Sequence, residues 1–233
     1  LLLEAAEAQP RSTEVLRLLG GVFFVTGRPL NAAIALKKAE AIAPLDERSR
    51  FTLVMAYVAL DRRKWARPEL AKLVEAAPSN PLYPYWTGRL DYDDGQYASA
   101  VKSFLRAIEL DPRHMKAHDN LGLCYEALGR FEEAQRSWEE AIRLNREQDP
   151  RSPWPSLNLG LMLTRLDRLD EAEERFRESL ACAARQSKKR RGRSPALSPH
   201  EQELIDVADA AAIRSARTLL SAASLKMYRT EST

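Results

Sequence analysis

The sequence predicts an all-α solenoid, a row of antiparallel helix pairs ending in a C-terminal helix. Three ladders of residues predict it. Ala32, Ala66, Ala100, Ala134 and Ala172 follow one another at intervals of 34, 34, 34 and 38 residues. Pro10, Pro44, Pro78, Pro112 and Pro150 keep the same beat and absorb the same four-residue slip. A third column, Gly27, Asp61, Gly95, Gly129 and Asp167, falls midway between. A fixed period of this length means one supersecondary unit stacked on itself, because a single unit cannot bury its apolar face alone.

Each unit reads the same way. A first segment of about 12–14 residues has apolar side chains three and four apart, the spacing of an amphipathic helix. It carries Gly20, Val54, Gly88, Gly122 or Gly160 in its opening half. The Gly/Asp column then makes a turn, and a second helix carries the ladder alanine and, one turn on, Leu36, Leu70, Phe104, Trp138 or Phe176. Proline stops that helix, since it has no amide to donate and restricts the residue before it. The units run 13–46, 47–80, 81–114, 115–152 and 153–186. Residues 1–12 fit the end of an earlier unit, with Ala5 and Pro10 in register, so we expect the natural protein to continue upstream.

The residue types suit close helix packing. Gly88 with Ala100, and Gly122 with Ala134, read as the small residues where the two helices of a pair meet. Tyr57, Phe104, Tyr125, Trp138 and Phe176 read as filling between neighbouring pairs. The period and columns resemble the tetratricopeptide repeat family, most closely over Ala117–Arg143 (AHDNLGLCYEALGRFEEAQRSWEEAIR). The resemblance implies a right-handed superhelix whose first helices line a concave binding groove. It implies little about activity, since one fold hosts many functions.

Departures from the pattern set further expectations. Val54 replaces the first-helix glycine and Arg62–Pro68 is a poor helix start, so the second unit should be the least regular. Asp91 stands where Phe23, Tyr57 and Tyr125 stand elsewhere, and should reach solvent or a neighbouring donor. The slip before Pro150 should lengthen the second helix of the fourth unit or bulge its exit.

The chain of 233 residues is 45% hydrophobic, enough for a continuous one-dimensional core. Its charge is uneven. From Ser187 onward nine basic residues face five acidic ones, which leaves the repeats near neutral. The run at 187–198, with five basic residues in six positions, reads as a solvated linker, because no aromatic is interleaved for base stacking. A nuclear-localisation or nucleic-acid patch is its competing reading, and we expect no nucleic-acid partner. Residues 199–233 resume a helical pattern, with Leu204, Val207, Leu219 and Leu220 on an apolar stripe suited to capping the last repeat. Register is lost abruptly after Leu180, which also admits a tail from a shifted reading frame.

Little points to chemistry. Cys124 and Cys182 read as small buried hydrophobes rather than a disulfide. His114 and His118 are four apart but have no further ligand at compatible spacing, so no metal is expected. Glycines are isolated, leaving no phosphate loop, and paired acids such as Glu132–Glu133 fall on exposed faces. No cofactor and no catalysis are expected. No run of 18 apolar residues implies a membrane span, Leu1–Ala8 lacks the charged start of a signal peptide, and a cytoplasmic location is expected.

The remaining surface is the first-helix groove, to which Arg17, Phe24, Asp119 and Leu157 also belong. Its candidate partner-binding residues are Phe51, Met55, Tyr85, Arg89, Tyr92, Leu123 and Trp154. Tyr85, Arg89 and Tyr92, spaced four and three apart, should face the groove together. Some members of the resembled family clamp a C-terminal dicarboxylate with lysine, asparagine and arginine. Here the matching window offers Tyr85, Arg89, Asn120, Trp154 and Asn158, of which only Asn120 fits in kind. The expected partner is therefore a protein or peptide with apolar anchors, held by a non-catalytic scaffold. The alternative is a helical appendage of a larger enzyme or sensor.

Overall fold

The computed structural model describes residues 12–148 and 151–193, with side chains through Arg185. The N-terminal repeat fragment before Ser12, Pro150 and the C-terminal capping helix lie outside the described residues. Ten α-helices and no strand are present among the described residues. They are α1 Thr13–Val25, α2 Pro29–Glu40, α3 Glu47–Ala59, α4 Arg63–Ala76, α5 Leu82–Asp93, α6 Tyr97–Leu110, α7 Met115–Ala127, α8 Phe131–Asn145, α9 Trp154–Arg165 and α10 Leu169–Arg193. The chain divides into two compact units, one ending at Asp111 and the other beginning at Pro112. The first holds three helix pairs, α1/α2, α3/α4 and α5/α6. The second holds two, α7/α8 and α9/α10. Within each unit the next first helix rests on the preceding second helix.

The turn column has a single physical cause. Gly27, Asp61, Gly95, Gly129 and Asp167 all have positive φ, between 53° and 74°. Each is the left-handed residue just past a first helix. The next amide reaches back five residues, as Arg28 N–H does to Phe23 O at 2.8 Å and Arg130 N–H to Tyr125 O at 2.8 Å. That is the Schellman arrangement, which satisfies carbonyls the helix end would orphan. Aspartate is among the few side-chain-bearing residues that adopt this conformation readily, which explains its sharing the column with glycine.

All five ladder alanines are fully buried. The first-helix glycines meet most closely not the alanine but the large residue of the pair. A Cβ on Gly20, Gly88, Gly122 or Gly160 would lie 2.5–2.8 Å from Leu36, Phe104, Trp138 or Phe176, respectively. Each glycine is thus a socket for the large residue of its own pair, one turn beyond the alanine. Phe104, Trp138 and Phe176 plug that socket within a pair rather than standing between pairs. In the second repeat Val54 has filled the socket, and the residue opposite is Leu70; both are buried.

The second repeat still forms both of its helices. Helix α4 forms over 14 residues with Pro68 inside it. Its start lacks a side-chain cap, but so do those of α2, α6 and α8, because the preceding turn already positions the chain. Three of the first helices, α1, α3 and α7, use side chains instead: Asp46 accepts from Ser49 N–H at 2.7 Å and His114 Nδ1 from Ala117 N–H at 3.2 Å.

The four-residue slip is a bulged exit. Helix α8 gains one residue over α4 and α6, and buried Asn145 then clasps the far side of the loop. Its Nδ2 donates to Ser152 O and its Oδ1 accepts from Ser152 N–H, both at 2.7 Å. Helix α10 runs to Arg193, so the backbone of residues 187–193 stays helical where composition suggested a linker.

Candidate partner-binding surface

First helices supply the candidate surface, and α3 and α5 carry most of it in the first unit. Phe51 and Met55, one turn apart on α3, are half-buried, with the Phe51 ring centroid 5.8 Å from that of Tyr83. On α5, Arg89 and Tyr92 are half-exposed. The Arg89 guanidinium lies over the Tyr92 ring at 5.9 Å and pairs with Asp93 at 3.6 Å. Tyr92 in turn packs on Tyr97 at 5.5 Å. These contacts hold the arginine fork in place while leaving it partly accessible.

Tyr85 does not join them. It is buried, its ring set against Trp86 at 5.6 Å and Phe104 at 5.9 Å. The three-residue face expected on α5 is therefore a two-residue face of Arg89 and Tyr92. Phe104, which sits over Gly88, is thus flanked by Tyr85 from the same helix.

Further along the first-helix side of this unit, α1 and α3 leave a recess of about 540 Å³. Arg17, Leu18, Val22, Phe24 and Thr52 line it. Arg17 is fixed there by Asp46 at 2.8 Å. Leu18 and Val22 stand largely in solvent beside it.

In the second unit Leu123 is half-buried on α7, and Trp154 opens α9 with 57% of its surface exposed. Asp119 accepts from Trp138 Nε1 at 3.1 Å and from Asn158 Nδ2 at 3.0 Å, tying α8 and α9 to α7. Asn120 is buried and donates to Lys116 O at 2.7 Å.

Sequence reasoning missed the buried ion clusters. Asp91 finds its donor in Arg67 at 2.7 Å, and Arg67 also holds Asp94 at 2.7 Å, with Arg63 adding a bond to Asp94 at 2.8 Å. The bond from Arg67 is the largest influence on the Asp94 carboxyl, which sits below its usual range. One repeat earlier, Arg50 bridges Glu40 at 2.9 Å and Glu69, and Lys72 reaches Glu69 at 3.0 Å. Burial pushes Glu40 up, but bonds from Lys37 and Arg50 outweigh it and hold the carboxyl low. The arginines and their carboxylates are 10–31 residues apart in sequence, which no single-helix pattern reveals.

Cys124 and Cys182 are buried free thiols. His118 Nε2 lies 3.1 Å from Pro112 O, and among the described residues no three metal-binding side chains gather. No described helix is long and apolar enough to cross a membrane.

Comparison with known proteins agrees with this architecture. Tetratricopeptide repeat models match residues 1–47 and 113–185, and a TPR repeat model matches 88–129. No curated protein sequence matches the chain. Among solved structures, MamA 41-end from Desulfovibrio magneticus RS-1 is 24% identical, with a TM-score of 0.60 over 64% of this chain and 84% of that one. A second MamA structure, at 22% identity, covers 73% of this chain and 97% of its own with a TM-score of 0.63. MamA AMB-1, at 28%, covers 63% and 87% with a TM-score of 0.57. Such identities carry the fold. The matched models together span more than half of the sequence, and the five-fold column of left-handed turns and buried alanines accompanies them. The chain belongs to the tetratricopeptide repeat family.

Proposed function

We propose that this array is a non-catalytic scaffold that binds an extended partner segment on the face of its first helices. A general role in protein interaction follows from the family. The finer reading rests on one observation, the recess between α1 and α3, where exposed Leu18 and Val22 flank an arginine held by Asp46. Exposed apolar side chains beside a fixed cation suit a segment with apolar anchors and a carboxylate that sets its register. Phe51, Met55, Arg89 and Tyr92 offer the same pairing further along the face, and Leu123 and Trp154 supply apolar surface in the second unit. The dicarboxylate clamp of some relatives is not the mode we propose, because its lysine positions are Tyr85 and Trp154 here. A cytoplasmic setting is part of the same proposal.

Peptides selected from a random display library on the whole chain test the reading. Binding, followed by fluorescence anisotropy, should weaken at least about threefold in Arg17→Glu or Arg89→Glu. Binders indifferent to both substitutions, and to Met55→Glu, would remove the first-helix face from consideration.

A further inference from the structure

The second-helix side of the first unit carries apolar side chains where a solvent face is ordinarily polar. Leu30 and Ile34, one turn apart on α2, are 57% and 50% exposed, and Trp65 near the start of α4 is 57% exposed. Helices α2 and α4 share this side, because Arg50 bridges Glu40 of one to Glu69 of the other. In register, Leu30, Ile34 and Lys38 answer to Lys64, Pro68 and Lys72 on α4, and Arg28 answers to Arg62. The same three positions in the second unit are Glu132, Arg136 and Glu140 on α8, and Asp170, Glu174 and Glu178 on α10. The line that is rich in acids there holds apolar residues and cations here.

Counting ion pairs leaves the positive charge standing. Lys37 and Lys72 are taken up by Glu40 and Glu69, Arg63 by Asp61 and Asp94, and Arg67 by Asp91 and Asp94. Arg28, Lys38, Arg62 and Lys64 are exposed and make no ion pair among the described residues. Against these four, α2 and α4 carry one carboxylate outside an ion pair, Glu75, two turns beyond Pro68. The exposed tryptophan is held in place. Its ring meets Tyr57 edge-on at 5.6 Å, and the Arg62 guanidinium lies 5.7 Å from its centroid.

We infer that this side docks on the surface of an anionic lipid bilayer. Leu30 and Ile34 enter the boundary of the acyl chains, the Trp65 ring lies at headgroup depth, and the four uncommitted cations meet the lipid anions. A nucleic acid would use the cations and leave Leu30 and Ile34 uncovered. An acidic peptide needs walls to nest between, whereas these side chains project from the outer side of a helix. The first-helix face takes no part, so this docking and partner binding can each fail alone.

Co-sedimentation of the whole chain with lipid vesicles tests the inference. The basic run at 187–198 is a polycation of its own, so every protein compared carries Lys188→Ser, Lys189→Ser, Arg190→Ser and Arg191→Ser. That parent should bind vesicles of equal parts phosphatidylcholine and phosphatidylserine and ignore phosphatidylcholine alone. At about fivefold per cation, Arg62→Glu with Lys64→Glu should weaken binding at least about twentyfold. Leu30→Ser with Ile34→Ser should weaken it at least about tenfold, while binding to heparin stays at the parent's level. Lys38→Glu, away from the Trp65 ring, should lose at least about fivefold and decides the matter where the paired charge variant unfolds. Arg89→Glu should bind vesicles as the parent does. A parent that ignores the mixed vesicles, or vesicle binding that survives the charge substitutions, would overturn the inference. So would binding indifferent to Leu30→Ser with Ile34→Ser, which would leave only attraction to polyanions.

Discussion

Adding one methyl group at Gly122 asks how tightly the sockets are built. The Cβ of Gly122→Ala would stand 2.6 Å from Trp138 Cε2 and 2.7 Å from its Nε1, against an ordinary contact of about 3.5–4 Å. The ring must therefore retreat by roughly 1 Å, and nothing near it yields easily. Trp138 has no exposed surface, and its Nε1 is held by Asp119. Overpacking of this kind costs about 1–3 kcal/mol. Losing a hydrogen bond to a carboxylate adds about 1.5–3 kcal/mol where the ring's retreat breaks it. Alanine returns about 0.8–1 kcal/mol of helix propensity. With that bond broken the balance is a net loss of about 1.5–5 kcal/mol, or a melting temperature lower by several degrees at roughly 2–4 °C per kcal/mol. Circular dichroism melts and urea titrations measure it. The control is Gly21→Ala, where nothing lies within 4 Å of the added Cβ and propensity alone should stabilise. Gly122→Val with Trp138→Leu, which imitates Val54 over Leu70, should recover most of what Gly122→Val alone loses. A Gly122→Ala protein as stable as the parent would refute the socket.

Ala100→Leu and Ala134→Leu should each cost about 1–3 kcal/mol in the same melts, since both positions are fully buried. Tyr85→Ala should lower stability by about 2–4 kcal/mol, whereas Arg89→Glu should leave the melt nearly unchanged. Glu40 has its folded-state pKa held below the ordinary 4.5, so its contribution is present above that value and lost as pH falls through the folded one. Urea midpoints of Glu40→Gln and the parent should therefore differ at pH 7 and converge in acid. Burial raises the Cys182 thiol above its usual range and Cys124 has no exposed surface, so Ellman's reagent should label both only on unfolding.

The ladders made the helices, their pairing and the turn column legible, because each rests on local chemistry repeated in register. A positive-φ turn needs glycine or aspartate wherever it occurs, and the period multiplies that signal. What the residues do across space was harder to read. Glycine 122 opposing Trp138 is a pairing between two helices, and either alanine or the residue one turn on could have met it. The Tyr85 ring packs beside Phe104 in the interior, although its helical spacing places it beside Arg89. Asp91 announced itself by being out of place, but its partner Arg67 could not be named from a column in which no other repeat has that pair. The cluster of Glu40, Arg50 and Glu69 was hidden likewise, because its three members come from three different helices.

The Asn145 clasp has a consequence for how such arrays change length. Its amide donates to and accepts from the backbone of a single residue, Ser152, as a neighbouring β-strand would. The polypeptide between those two residues is thereby closed off at its base. Helix α9 is launched from Ser152 and Pro153, whatever lies between the jaws. Doubling the length of a closed loop costs only about 0.6 kcal/mol of closure entropy. An insertion in this segment is therefore paid in solvent and not in the packing of α9 on α8. A repeat array with one asparagine in this position has an expansion joint, and the four extra residues of this chain show it already in use.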